Sequence, residues 1–309
     1  MTTDSTSTAT IPIADSAGTW QLGDRTVNRV GLGAMRLGGM PWEAPRSRDD
    51  ALAVLRRAIE LGVNHIDTAA FYFTPTRSSN ELISTALQPY PDHLVITTKV
   101  GPSQSRDGEF EPMGRPDQLR GQVEENIRQL GLDQLDVVNL RWGTTMDKME
   151  GSLADHLGAL VELRDAGLLR HIGISNITAD QLTEAITITP VVSVQNRYGL
   201  TDRADDALLE LCLEHGIAFV PFFAVATSTW ASSEGPDSTG EAEIAAIAEA
   251  HGATPAQIRL AWTLQRGPHV LAIPGTGNPV HLEQNVAAGG LRLTAEEVAV
   301  LDRIAPARR

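Results

Sequence analysis

A parallel (β/α)8 barrel is the fold this sequence predicts, and three observations predict it. Eight β-rich runs begin near Asn28, Asn64, Leu94, Leu135, Arg170, Val191, Ile217 and Val270, most of them separated by a helix-length segment. Nearly all are continuously apolar instead of alternating, as parallel strands covered by helices are. The strand-helix repeat fills roughly 250 residues, the size of such a barrel. A doubly wound open sheet is the competing architecture, but it would place a G-x-G-x-x-G turn before the first helix. The Gly31-Leu32-Gly33 stretch lacks that spacing.

Each element has its own local signal. The start, 1–18, is Ser/Thr-rich without an apolar secretory core and is expected to be a disordered tail, leaving 19–309 as one domain. Trp20 to Val27 reads as two short strands around Gly23-Asp24, a hairpin. Val30 to Gly33 is the first barrel strand, and Ala34 to Gly39 is a glycine-rich loop. Ser47 opens a helix that places Ala51, Leu55, Ala58 and Ile59 on one face and stops at Gly62. Later helical stretches stop at Gly131, Gly167, Gly216 and Gly267, each followed closely by a β-rich run, as left-handed helix ends are. Ser78 with Glu81, Thr178 with Gln181 and Thr294 with Glu297 have capping-box spacing, while Thr254-Pro255 sets an N-cap before a first-turn proline. Thr294 to Ile304 is expected as an extra C-terminal helix laid outside the barrel.

Composition narrows the function. A chain of 309 residues, 42% hydrophobic and 21% charged, buries a large core, which excludes fibrous classes. No apolar run reaches the roughly 18 residues a spanning helix needs, so a cytoplasmic protein without a membrane partner is expected. A net charge of −14 argues against nucleic acid as a partner, because phosphate neutralisation needs clustered Lys and Arg. A locally basic pocket for a small anion remains open. The single cysteine, Cys212, lies in an apolar helical stretch and is expected to pack; it makes neither a disulfide nor a cysteine metal site alone.

Active sites of such barrels sit where strands end. Closing the runs are Asp67, Lys99, Asn139 with Arg141, Ser175 with Asn176, Gln195 and Phe222, while Tyr72 follows Asp67 by five residues. Taken singly, each has an ordinary explanation as a loop anchor, a turn or core. Charged groups are not buried cheaply unless paired, however, so their convergence on one rim is hard to explain by packing. If the runs ending in Asp67 and Lys99 are neighbours, Lys99 stands between Asp67 and Tyr72, and its ammonium lowers the tyrosine pKa. At about 4 Å and an effective dielectric near 20 that charge is worth roughly 4 kcal/mol, an upper bound of about three pKa units. The phenol then becomes a general acid near neutral pH. A metal-dependent hydrolase would instead show several His and carboxylates at strand ends, and His65 with Asp67 are too few.

The stretch His65 to Tyr72, with Leu94 to Lys99, resembles the active-site segments of the aldo-keto reductases, where Asp, Tyr and Lys are three of a catalytic tetrad. The resemblance runs from the hairpin to the last helix. It implies that Ser175, Asn176 and Gln195 hydrogen-bond the carboxamide of a nicotinamide, that Phe222 stacks on its ring, and that Met35 touches the cofactor through its backbone. It also implies that Ile273-Pro274-Gly275-Thr276 with His281, Gln284 and Asn285 holds the adenosine phosphate and adenine. There His281 either contacts a 2′-phosphate or faces solvent. Gly275 stands where many relatives place a lysine and His281 where many place an arginine. The resemblance implies NADPH as the cofactor; these two replacements weaken the phosphate clamp and leave NADH possible, and no metal is required.

Two departures stand out. Arg141 falls where the tetrad histidine belongs, and Ala224 replaces a usual proline, which bears on the loop Ala224 to Gly240. Arginine stays charged and cannot exchange a proton, so Arg141 is expected to donate hydrogen bonds to a substrate carbonyl. Asn139-Leu140-Arg141, Val220-Pro221-Phe222-Phe223 and Ile273 to Thr276 look most like a bacterial branch that includes pyridoxal reductases. The resemblance thus implies reduction of a small aldehyde or ketone, pyridoxal-type aldehydes leading. The alternatives are a specialised natural-product biosynthetic enzyme and a nicotinamide-binding redox sensor with little turnover.

Overall fold

A 3-10 turn at Ile13–Ala17 precedes the antiparallel pair β1 (Thr19–Leu22) and β2 (Arg25–Asn28), which reverses at Gly23 with φ +66°. After it come β3 (Leu32–Gly33), α1 (Arg48–Glu60), β4 (His65–Asp67), and the small hairpin β5 (Phe73–Thr74) and β6 (Arg77–Ser78). Next are α2 (Ser79–Leu87), β7 (Val95–Val100), α3 (Leu119–Leu130), β8 (Leu135–Arg141), α4 (Ala154–Asp165), β9 (Leu169–Ser175) and α5 (Ala179–Ile188). The chain continues as β10 (Val191–Gln195), α6 (Asp206–Glu214), β11 (Ala218–Phe219), α7 (Glu241–Ala250), α8 (Pro255–Gln265), α9 (Pro279–Ala287) and α10 (Ala295–Asp302). This computed structural model describes residues 13–38, 47–105, 111–225 and 240–304.

Seven strands pair in parallel in the order β3, β4, β7, β8, β9, β10, β11. The eighth stave is the stretch 270–275. Val270 bridges Phe219 on one side, while Ala272 and Gly275 bridge Val30 and Gly33 on the other. The sheet therefore closes on itself as the expected (β/α)8 barrel and leaves no open edge. Its floor is plugged by the hairpin: Leu22 and Val27 pack with Val95, Val137, Ala218, Val220 and Leu271 inside the staves. A second, larger apolar layer lies between the staves and the helices, and Cys212 is buried in it, its thiol pushed up to about 12 by burial.

The local signals hold with three exceptions. Thr178, Thr254 and Thr294 form full capping boxes, and Gly62, Gly131, Gly167 and Gly216 all have positive φ. Ser78 does cap α2, but the Glu81 carboxylate pairs with Arg48 instead of returning to the cap. Gly267 is not a left-handed stop. Helix α8 gives way to a right-handed Arg266, and glycine is needed at 267 for space, since a Cβ there would lie 2.6 Å from the His269 ring. The expected tail ends sooner than residue 18, because Ala14 and Ala17 are buried against the barrel and Ala14 N donates to Leu61 O at 3.0 Å. Residues 1–12, Gly39 and the bulk of the loop from Ala224 to Gly240 lie outside the described residues. Among the described residues, no helix is long and apolar enough to cross a membrane.

Closure depends on a glycine seam. A Cβ on Gly33 would come within 2.6 Å of the Ile273 carbonyl oxygen, and one on Gly275 within 3.1 Å of the Gly33 oxygen. Overpacking of this kind typically costs about 1–3 kcal/mol, so G33A should lower the Tm by several degrees in a circular dichroism melt. In contrast, G158A in α4, where a Cβ meets nothing within 4 Å, should be neutral or stabilising by up to about 1 kcal/mol.

Candidate active site

Strand register brings the polar strand ends together. Gly33 pairs with Asp67, Asp67 with Thr97, Lys99 with Asn139, Arg141 with Ser175, and Ser175 with Gln195. Lys99 Nζ donates to Asp67 Oδ1 at 2.5 Å and to Thr68 O at 3.0 Å. Gln195 Nε2 donates to Asp67 Oδ2 at 2.7 Å, so both carboxylate oxygens are engaged. All three side chains are buried. Lys99 Nζ stands 4.8 Å from the Tyr72 ring centroid, between acid and phenol as expected.

The electrostatics correct one expectation. Burial raises the Tyr72 phenol above its ordinary value, and the Lys99 ammonium offsets this only in part. The Lys99 charge acts in the expected direction, but desolvation outweighs it. Burial also weighs most heavily against the Lys99 charge, yet Asp67 and Tyr72 together overcome it and hold the ammonium above its usual range. At neutral pH the pair is therefore a protonated phenol facing a firmly charged ammonium, poised to stabilise a phenolate when the proton leaves.

Arg141 closes β8 at 8% exposure. Its Nη2 donates to Thr145 O at 2.8 Å, and its guanidinium carbon lies 5.4 Å from the Phe222 ring centroid. Burial pushes it down to about 10, which leaves it charged at neutral pH. Ser175 Oγ is buried without a partner. Asn176 has φ +63° and Phe223 φ +64°, the only non-glycine residues with positive φ among the described residues. Such backbone is costly for ordinary side chains and concentrates at functional sites. Asn176 spends both amide hydrogens on backbone, donating to Trp142 O at 3.0 Å and Asp147 O at 2.9 Å, which leaves its own oxygen as an acceptor.

The remaining expected residues gather around the glycine seam. Met35 lies half-buried in the turn after β3. Thr276 is buried, its Oγ1 accepting from Asn278 N at 3.0 Å, and Asn278 caps α9. His281 is exposed on that helix, while Gln284 and Asn285 are half-buried. Between Gly275 and Asn285 there is no Lys or Arg. An unpartnered Ser175 hydroxyl, a free Asn176 oxygen and a seam without Cβ atoms fit a nicotinamide dinucleotide lying across the barrel mouth.

Two layers escaped the sequence reading. Behind the site, Thr68 Oγ1 donates to Asn80 Oδ1 at 2.7 Å, Asn80 Nδ2 to Asn126 Oδ1 at 3.0 Å, and Thr98 Oγ1 to Asn126 Oδ1 at 2.6 Å. This network ties α2 and α3 to the strands carrying Asp67 and Lys99. A signal was present, because Asn126 shares the buried face of α3 with Leu119, Val123 and Leu130. Beneath the site, His65 Nε2 meets Thr97 Oγ1 at 3.1 Å, and Ser193 Oγ donates to Asn139 Oδ1 at 3.0 Å. A cleft of about 860 Å³ opens beside the site between the loops after β4 and β7 and α3; it shares Lys99, with Phe71, Phe73 and Met113 on its wall.

Comparison with known proteins places the chain. The model of the aldo/keto reductase family matches residues 29–306. Over 292 residues the chain is 44% identical to pyridoxine 4-dehydrogenase of Escherichia coli, covering 94% of this chain and 99% of that protein. An uncharacterized oxidoreductase of Schizosaccharomyces pombe is 38% identical over 290 residues, 94% of this chain and 90% of that one. Among solved structures, an aldo-keto reductase from Klebsiella pneumoniae in complex with NADPH superposes with TM-score 0.77 at 28% identity, covering 94% and 96% of the two chains. A closed (β/α)8 barrel with this acid-amine-phenol mouth defines an oxidoreductase scaffold, and the chain belongs to the aldo/keto reductase family. The Escherichia coli relative fits the pyridoxal reductase-like branch that the strand-end motifs pointed to.

His65 gives an acid-stability test. Burial lowers it to about 4, so it is neutral in the folded protein, while in the unfolded chain it protonates near 6.5. The unfolded state therefore takes up a proton first as pH falls. Stability is full above pH 6.5 and is lost progressively toward pH 4, by up to about 3 kcal/mol. Urea denaturation at stepped pH should show this limb, and H65Q should flatten it by that amount relative to the wild type.

Proposed function

We propose that this protein is a cytoplasmic NADPH-dependent reductase of aldehydes and ketones, with pyridoxal-type aldehydes as its leading substrates. The observation that carries the reading is the buried Lys99–Asp67 pair set 4.8 Å from the Tyr72 ring at the barrel mouth. Reduced nicotinamide, when bound, supplies a hydride to the carbonyl carbon. Tyr72 gives its proton to the carbonyl oxygen, and the Lys99 ammonium, held by Asp67, stabilises the phenolate left behind. Arg141 donates a hydrogen bond to the same oxygen and, unlike a histidine, keeps its proton throughout. Water then returns a proton to Tyr72. The same groups run in reverse when an alcohol is oxidised.

Cofactor placement follows from the donors and acceptors still available. Ser175 Oγ and the Asn176 oxygen would hold the carboxamide of a bound nicotinamide, joined by the second N–H and the oxygen of Gln195, whose first N–H holds Asp67. Phe222 offers a ring face, and Met35 a backbone contact. Thr276 and the N-terminus of α9 offer donors to the adenosine phosphate, with His281, Gln284 and Asn285 on the adenine side.

Y72F keeps the ring and removes the proton. It should lower kcat by about 10²- to 10⁴-fold, with NADPH affinity by fluorescence titration within a few-fold of wild type. A variant turning over nearly normally would show Tyr72 to be a packing aromatic. The same titration should find NADPH bound more tightly than NADH; equal affinities would refute the phosphate contacts at α9.

A further inference from the structure

Asp205 stands at the N-terminus of α6, 5% exposed, where an aspartate ordinarily caps the helix by accepting a backbone N–H. It makes no such cap. Its Oδ1 instead pairs with Lys148 in the loop after β8, and its Oδ2 accepts from Asn196 Nδ2 at 2.8 Å, just past β10. These two partners lead to opposite halves of the barrel mouth.

The Lys148 arm leads to Arg141. From Thr144 to Ser152 no residue is buried, so polar contacts and not apolar packing hold this loop in place. The loop supplies Thr145 O, which accepts from Arg141 Nη2 at 2.8 Å, and Asp147 O, which accepts from Asn176 Nδ2 at 2.9 Å. Lys148 adds the ion pair that ties it to a buried anchor.

The Asn196 arm leads to the opposite wall. Asn196 is fully buried and holds Ile177 at both backbone atoms, donating from Nδ2 to Ile177 O at 2.8 Å and accepting from Ile177 N at Oδ1 at 3.1 Å. Its backbone oxygen accepts from Phe222 N at 3.0 Å. A carboxylate only accepts, so Asp205 fixes which way the Asn196 amide faces and with it the placement of Ile177. Ile177 directly follows Asn176, whose φ is +63°, and the unpartnered Ser175 hydroxyl.

We propose that Asp205, which lies outside the mouth, is a positioning residue for both halves of the site. Through Lys148 it sets the Arg141 guanidinium toward the substrate oxygen, and through Asn196 it sets the Ser175–Asn176 edge that receives the nicotinamide. This rests on the reductase reading above and adds the residue that aligns its two sides. A misplacement of about 1 Å caused far from the chemistry can cost about 10²-fold in rate, so the carboxylate controls turnover without touching a reactant.

The test uses the full-length protein with NADPH and 4-nitrobenzaldehyde, at a temperature where circular dichroism shows each variant folded, and reads NADPH affinity by fluorescence titration. K148M releases the loop and leaves Asn196 in place; it should lower kcat/KM by about 10-fold or more, with the NADPH Kd within about 2-fold of wild type. Because that loss passes through Arg141, adding K148M to R141M should cost less than about 2-fold more. An equal loss in both backgrounds is a merely structural effect and overturns the proposal. D205N frees both arms. It should lower kcat/KM at least as far as K148M and also weaken NADPH binding by about 10-fold. A D205N protein with a lower Tm but with kcat/KM and Kd within about 2-fold of wild type overturns the proposal. Should D205N not fold, the comparison of K148M in the wild-type and R141M backgrounds decides it. A wild type that binds NADPH and reduces no aldehyde removes the reductase reading instead. In that case weaker NADPH binding by D205N, but not by K148M, upholds the positioning role, and unchanged binding by D205N overturns it.

Discussion

The buried ion pair between Lys99 and Asp67 is the constraint around which the barrel mouth is arranged. Desolvating an ammonium and a carboxylate costs several kcal/mol each, and mutual attraction compensates only when the remaining valences are filled. They are filled here: Asp67 receives Gln195 on its second oxygen, and Lys99 reaches Thr68 O. The two strands carrying the pair are in turn held from outside by Asn80 and Asn126, which hydrogen-bond Thr68 and Thr98. Mouth, strands and covering helices thus form one polar assembly within an otherwise apolar shell.

Tyr72 and Arg141 face that pair with opposite capacities. The phenol is kept protonated by burial, and the guanidinium keeps its charge although burial lowers it to about 10. In the proposed reduction one group gives up its proton and the other cannot, so the roles that a histidine would combine are divided. The backbone that sets the opposite wall is strained at Asn176 and Phe223. Neither strain would survive unless surrounding structure fixed it, as the bonds from Asn176 to Trp142 and Asp147 do.

The seam of Gly33 and Gly275 serves both fold and site. It lets the last stave approach the first closely enough to shut the barrel, and it brings the turn holding Met35 beside the start of α9. The carbonyl contacts at the seam leave no room for a side chain at Gly33 and little at Gly275, and with no Lys or Arg between 275 and 285 the proposed phosphate contacts fall to backbone and helix-end donors.

By itself the sequence determined the staves, their order and the residues that close them. Apolar runs, glycine stops and threonine caps are local, short-range physics, and Asp67, Lys99 and Arg141 end runs that could be read directly, with Tyr72 five residues beyond the first of them. Gly267 and the Glu81 half of the Ser78 capping box were misread because their reasons, the His269 ring and Arg48, come from elsewhere in the chain. Only the tertiary structure decided that Gln195 reaches Asp67 across 128 residues, that Asn126 backs Lys99, and that Arg141 lacks a carboxylate among the described residues. It also reversed the sign of the Tyr72 shift. Desolvation sums over every group packed around a site, and that sum exists only once the strands have closed.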